Sequence, residues 1–128
     1  PIIFMLDLSI VDSQKEEAKN FTYEITKKVK ANEPDTIIYQ YYFDSDNKVF
    51  LYEVYKGNDA AIMHVKDFRG SDWETRFGDL FVIDNFSVLG NSSEALKESL
   101  QGYPASFRVI EGGFSRPAES LGEEIFKL

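Results

Sequence analysis

Glu33-Pro34-Asp35-Thr36-Ile37-Ile38-Tyr39-Gln40-Tyr41-Tyr42-Phe43, followed by Leu51-Tyr52-Glu53-Val54-Tyr55, Ala60-Ala61 and His64, is the stretch that decides the fold. Pro34 ends any helix before it, because the residue preceding a proline is driven out of helical backbone. Thr36 to Phe43 is β-branched and aromatic, the composition of a strand. Asp44-Ser45-Asp46-Asn47 is a polar turn and Val49 to Lys56 a return strand, so the two make an antiparallel hairpin. Gly57-Asn58 breaks the chain again. Asn58 is a good N-cap for a short helix from Asp59 to about Phe68, with Ala61, Val65 and Phe68 inward.

Outward from this stretch the pattern stays regular. Ile2 to Val11 is apolar on both alternating sets, so both faces of that strand need cover. Ser13 and Glu16 make a capping-box pattern, and Ala18, Phe21, Ile25 and Val29 form the stripe of an amphipathic helix. Phe81 to Leu89 reads as a fourth strand. The order β-α-β-β-α-β is the ferredoxin-like arrangement of an α+β domain, an antiparallel sheet with both helices on one face. Strand Thr36–Phe43 is nearly as apolar on its second face. A second copy of the sheet would cover it, which predicts a homodimer closed into an α+β barrel. The chain is expected as one domain, 1–128, with a core of about 1–90 and a C-terminal extension over 91–128. In that extension Asn91-Ser92-Ser93 caps a helix through Gln101 with Leu96 and Leu100 inward. Gly102 follows as its C′ glycine, then a strand from Ala105 to Ile110 and a last amphipathic turn at Leu121, Ile125 and Phe126. The extension is too short for a separate core and reads as a cover or a swapped arm.

Composition narrows the partners. Eleven Phe, seven Tyr and one Trp point either to a large aromatic core or to a pocket for a flat apolar ligand. A net charge of −8 disfavours nucleic acid as a partner. The absence of cysteine removes disulfides, thiolate catalysis and Cys-ligated metal sites, and fits a reducing cytoplasm. No apolar run approaches the roughly 20 residues of a membrane span. Residues 1–11 lack the basic leader and cleavage site of a signal peptide. Neither a phosphate loop, nor a Ser-His-Asp set, nor a multi-histidine metal cluster is present, so no metal and no cofactor is expected.

Strand parity sorts the chemistry. If Leu51, Glu53 and Tyr55 share the barrel face, Phe50, Tyr52 and Val54 lie under the helices, and Ile3, Met5 and Asp7 join the barrel face. Glu53 and Asp7 then sit among apolar neighbours, where a carboxylate needs a partner and its pKa is pushed up. His64 can reach the pocket rim near Glu53. The pair is either a structural bond anchoring helix to sheet or a proton-transfer pair orienting a phenolic or quinone-like substrate. Tyr39, Tyr41, Leu51, Tyr55 and Phe68 are expected around that ligand. Trp73 is expected at the rim, or else as a half-exposed loop residue filling the dimer seam.

The proline-broken turn, the two aromatic strands, Glu53 and the helix bearing His64 resemble the antibiotic biosynthesis monooxygenase family over about residues 1–90. That resemblance implies a dimeric α+β barrel with an aromatic-lined pocket. It also implies binding of a planar aromatic and, in some members, its cofactor-independent reaction with O2. The haem-degrading branch carries an Asn in the first strand, a Trp in the second helix and a later His. Asp7 and His64 stand at the first two positions here and there is no second histidine, which argues against haem degradation. Two other readings remain: a non-catalytic small-molecule-binding or stress-associated protein of the same fold, and a tautomerase using Pro1 as base, since the chain starts Pro1-Ile2-Ile3.

Overall fold

The computed structural model describes residues 1–116, so the amphipathic turn expected at Leu121, Ile125 and Phe126 lies outside the described residues. The elements in chain order are β1 (Ile2–Ile10), α1 (Lys15–Asn32), β2 (Thr36–Phe43), β3 (Lys48–Tyr55), α2 (Asn58–Phe68), α3 (Asp72–Leu80), β4 (Phe81–Leu89), α4 (Glu94–Ser99) and β5 (Ala105–Arg108). The sheet order is β2-β3-β1-β4-β5. Its first four strands are antiparallel, as the ferredoxin-like pattern requires, and β5 adds in parallel to β4.

The helices pack on one face. Ala18, Phe21, Ile25 and Val29 of α1 form one core with Phe4, Leu6 and Leu8 of β1, Leu51 and Tyr55 of β3, and Phe86 and Val88 of β4. Aromatic rings meet there mostly edge to face: Phe4 lies 5.3 Å from Phe86, and Phe21 lies 6.0 Å from Phe77. Leu96 of α4 and Leu100 just after it join the same core, and β5 adds an edge to the sheet.

Four expectations need correction. The capping box fails because Ser13 adopts a left-handed backbone (φ 66) and α1 begins beyond it, with Gln14 as a cap that makes no side-chain bond. Asn58 does not cap α2; its side chain bridges instead to the backbone of Asn91 and Ser93, tying that helix to the start of α4. Trp73 is not in a loop but in the first turn of α3, a helix beyond the β-α-β-β-α-β order. Its signals were Ser71 accepting from the Glu74 N–H and the spacing of Trp73, Phe77 and Leu80. The strand parity is reversed. Phe4 faces Glu53 and Leu6 faces Leu51 across β1 and β3, so Leu51, Glu53 and Tyr55 lie under the helices. Ile3, Met5, Phe50 and Tyr52 belong to the open face and are half-buried.

Candidate functional site

A row of ionisable side chains crosses the interior between α1, α2 and the hairpin. His64, on the inner side of α2, is 8% exposed; Glu53, in the middle of β3, and Glu33, which ends α1, are each 3% exposed. His64 Nδ1 lies 2.8 Å from Glu33 Oε1 and its Nε2 lies 3.3 Å from Glu53 Oε1. The Tyr55 hydroxyl donates to the same Glu53 oxygen, while Thr36 Oγ1 donates to Glu33 Oε1 at 3.0 Å. Tyr39 and Tyr41, neighbours on the same face of β2, hold their hydroxyls 2.8 Å apart.

Burial and pairing set the protonation of the row. Burial pushes the Glu53 carboxyl up, and the His64 charge and the Tyr55 hydroxyl only partly offset this. Burial also acts to lower His64, but the Glu33 hydrogen bond and the charges of Glu53 and Glu33 outweigh it, so the imidazolium is favoured. Glu33 is held below its usual range, because its bonds to His64 and Thr36 and the charges of His64 and Lys28 together exceed its own desolvation. Desolvation raises Tyr39 and Tyr41, which stay neutral donors. His64 Nε2 and Glu53 Oε1, 3.3 Å apart, are therefore both shifted toward holding a proton, beside a Glu33 shifted toward its ionised form.

His64, Glu53 and Tyr39 border a cavity of about 60 Å³ whose other walls are apolar, among them Phe4, Leu51, Phe68, Phe77 and Phe86. Leu100 and Tyr103 also line it. Tyr103 is latched by stacking under Arg69, whose guanidinium lies 4.4 Å from the ring centre, and by donating to Glu74. Arg69 also donates to the Ser99 and Gln101 carbonyls at 2.6 and 2.7 Å.

Of the residues expected at the site, the structure brings together His64, Glu53, Tyr39, Leu51 and Phe68, with Tyr41 and Tyr55 bonded directly behind them. Asp7 is not with them: it pairs with Phe50 on the opposite face and is exposed. Trp73 is not at the cavity either, but packs on Phe21 with their rings 5.9 Å apart. Glu33 was missed, because a glutamate at a helix end before proline is indistinguishable from a solvated one, and its partner lies 31 residues away. Pro1 lines a separate open groove of about 620 Å³ that shares no lining residue with the Glu53–His64 cavity. Among the described residues no His, Asp and Glu cluster is arranged to hold a metal ion, and no helix is long and apolar enough to cross a membrane.

No protein-family model matches the chain, and no curated protein matches it in sequence. Solved structures do match. MupZ from Pseudomonas fluorescens superposes with a TM-score of 0.80 at 22% identity, over 91% of this chain and 95% of its own. A candidate antibiotic biosynthesis monooxygenase from Nitrosomonas europaea gives 0.59 at 18% identity, over 71% and 98%. Another from Deinococcus radiodurans gives 0.56 at 11% identity, over 73% and 94%. The 91% shared with MupZ is more than residues 1–89 could supply, so that likeness extends into the α4–β5 cover. The chain thus has the ferredoxin-like α+β fold of the antibiotic biosynthesis monooxygenase structures, the protomer fold that the resemblance of its sequence implied.

Proposed function

We propose that this protein is a cofactor-independent monooxygenase of a small phenolic or quinol-type aromatic. The observation that carries the reading is His64 held between Glu33 and Glu53 at the wall of an aromatic cavity. In its singly protonated form the His64–Glu53 pair accepts the hydroxyl proton of the substrate. Tyr39, with Tyr41 behind it, donates to the resulting phenolate oxygen. The electron-rich ring then reduces O2: a ring C–H becomes C=O, one oxygen atom stays on the carbon and the other leaves as water. Substrate and O2 account for every atom and electron of that step, so no cofactor is needed.

Two copies would pair through the open sheet face, where Ile3, Met5, Phe50 and Tyr52 are apolar and only half-buried. The reducing cytoplasm is the compartment that goes with this reading. The alternative of binding without turnover draws on the cavity volume. At about 60 Å³ it is well below the roughly 300 Å³ where ligand pockets usually begin, so a planar ring enters only if the lining gives way. Oxygen uptake against a panel of hydroquinones and naphthols tests both. Turnover that His64→Ala abolishes supports the monooxygenase; saturable binding with no O2 consumed by any member supports the binding protein.

A further inference from the structure

We propose that Glu33 is a positioning residue for His64. Its carboxylate fixes the proton on Nδ1, so that Nε2 is the working nitrogen turned to Glu53 and the cavity. The inference rests on the reading of His64 as the acid–base group of the site.

The geometry separates Glu33 from the groups that would meet a ligand. His64 and Glu53 border the cavity; Glu33 does not. Its contact to Nδ1 at 2.8 Å is shorter than the 3.3 Å from Nε2 to Glu53, so the imidazole is held from behind and freer in front. An ionised acceptor there selects the Nδ1–H tautomer, and a fixed tautomer is what an acid–base imidazole needs.

A purely structural anchor between the end of α1 and α2 would not need a buried charge. Yet the Glu33 side chain is only 2% exposed, and its Oε2 is buried with no hydrogen-bond partner, its nearest cation being Lys28 Nζ at 3.9 Å. An unsatisfied buried carboxylate oxygen costs stability. It is retained where the charge itself is used. The other groups facing His64 cannot take over this role. Glu53 and Tyr55 approach from β3, the Tyr39 ring lies tilted to the imidazole from β2 at 5.6 Å, and Lys28 brings a positive charge from α1.

Because His64 is the only histidine, imidazole ¹⁵N and ¹³C NMR of the full chain reads this group alone. The wild-type protein, above the titration, should show the Nδ1–H tautomer. Glu33→Gln should move the His64 titration downward, and Glu33→Ala should let the Nε2–H tautomer appear, in chains whose melting curves show them folded. With any substrate the panel identifies, Glu33→Gln should lose about tenfold or more in kcat with KM little changed. Wild-type protein in the Nε2–H tautomer overturns the proposal even if neither variant folds. So do folded variants with an unaltered His64 spectrum. The NMR result is independent of turnover: the expected spectra in a protein that consumes no O2 would count against the monooxygenase and leave the positioning role standing.

Discussion

The two faces of one sheet treat the same chemistry in opposite ways. Glu53 and Asp7 are both strand carboxylates, on adjacent strands β3 and β1. Glu53 lies under the helices, bonded to Tyr55 and His64, and burial raises its pKa. Asp7 is on the open face, exposed. What separates a candidate acid–base group from a surface charge is therefore strand parity. A carboxylate becomes chemically useful where helices exclude water and a second ionisable group is fixed beside it.

The largest expected contrast is in stability. Phe4→Ala empties a site on the helix face that is 3% exposed, and should cost about 3–5 kcal/mol in chemical denaturation. Met5→Asp, its neighbour on the open face, should leave the folded monomer intact and shift sedimentation from dimer to monomer. A wild-type chain that sediments as a monomer at micromolar concentration breaks the comparison, since the open face would then need no cover.

Next in size is activity and its pH dependence. Glu53→Gln should lower turnover by about 10²–10⁴-fold, whereas Asp7→Asn should change stability by no more than about 0.5 kcal/mol. The Glu53 and His64 pKa values are both raised on folding, from 4.5 and 6.5. Their contributions to stability are thus complete below those values and are lost as pH rises through the folded-state values. Glu33 is lowered from 4.5 and works in the other direction, losing its contribution as pH falls through its folded-state value. Denaturation midpoints should therefore decline as pH rises above 4.5 for Glu53 and above 6.5 for His64, and Glu53→Gln should flatten the part of the decline that begins at the lower value. An equally steep decline in the variant would place its origin elsewhere.

The smallest effect sharpens the comparison at the cavity wall. Tyr103→Ala removes the latch held by Arg69 and Glu74 and should cost about 1 kcal/mol. It should also admit larger phenols, read as tighter binding of naphthols relative to hydroquinones in a thermal-shift panel. Unchanged selectivity would mean that ligands enter by another route.

Much of this was legible in the chain itself. The proline break at Pro34, the tyrosine hairpin and the stripe from Ala18 to Val29 specify elements by local backbone preference and hydrophobic period, and β2, β4 and the α1 core stripe lie where those signals put them. The pairing of Glu53 with His64 could also be anticipated, as two polar groups set among apolar neighbours. Parity could not. Val49, Leu51 and Tyr55 on one side of β3, and Phe50, Tyr52 and Val54 on the other, are equally apolar, so a period of two carries no direction. Only the docking of Phe21 and Ile25 against one side decided it. Glu33 depended on tertiary structure entirely. Its sequence context is that of a solvated helix end, and it became a buried charge because α2 brings an imidazole to it from a distant part of the chain. Local signals fix where elements begin and end, while the environment of a charge is set by whatever the fold packs against it.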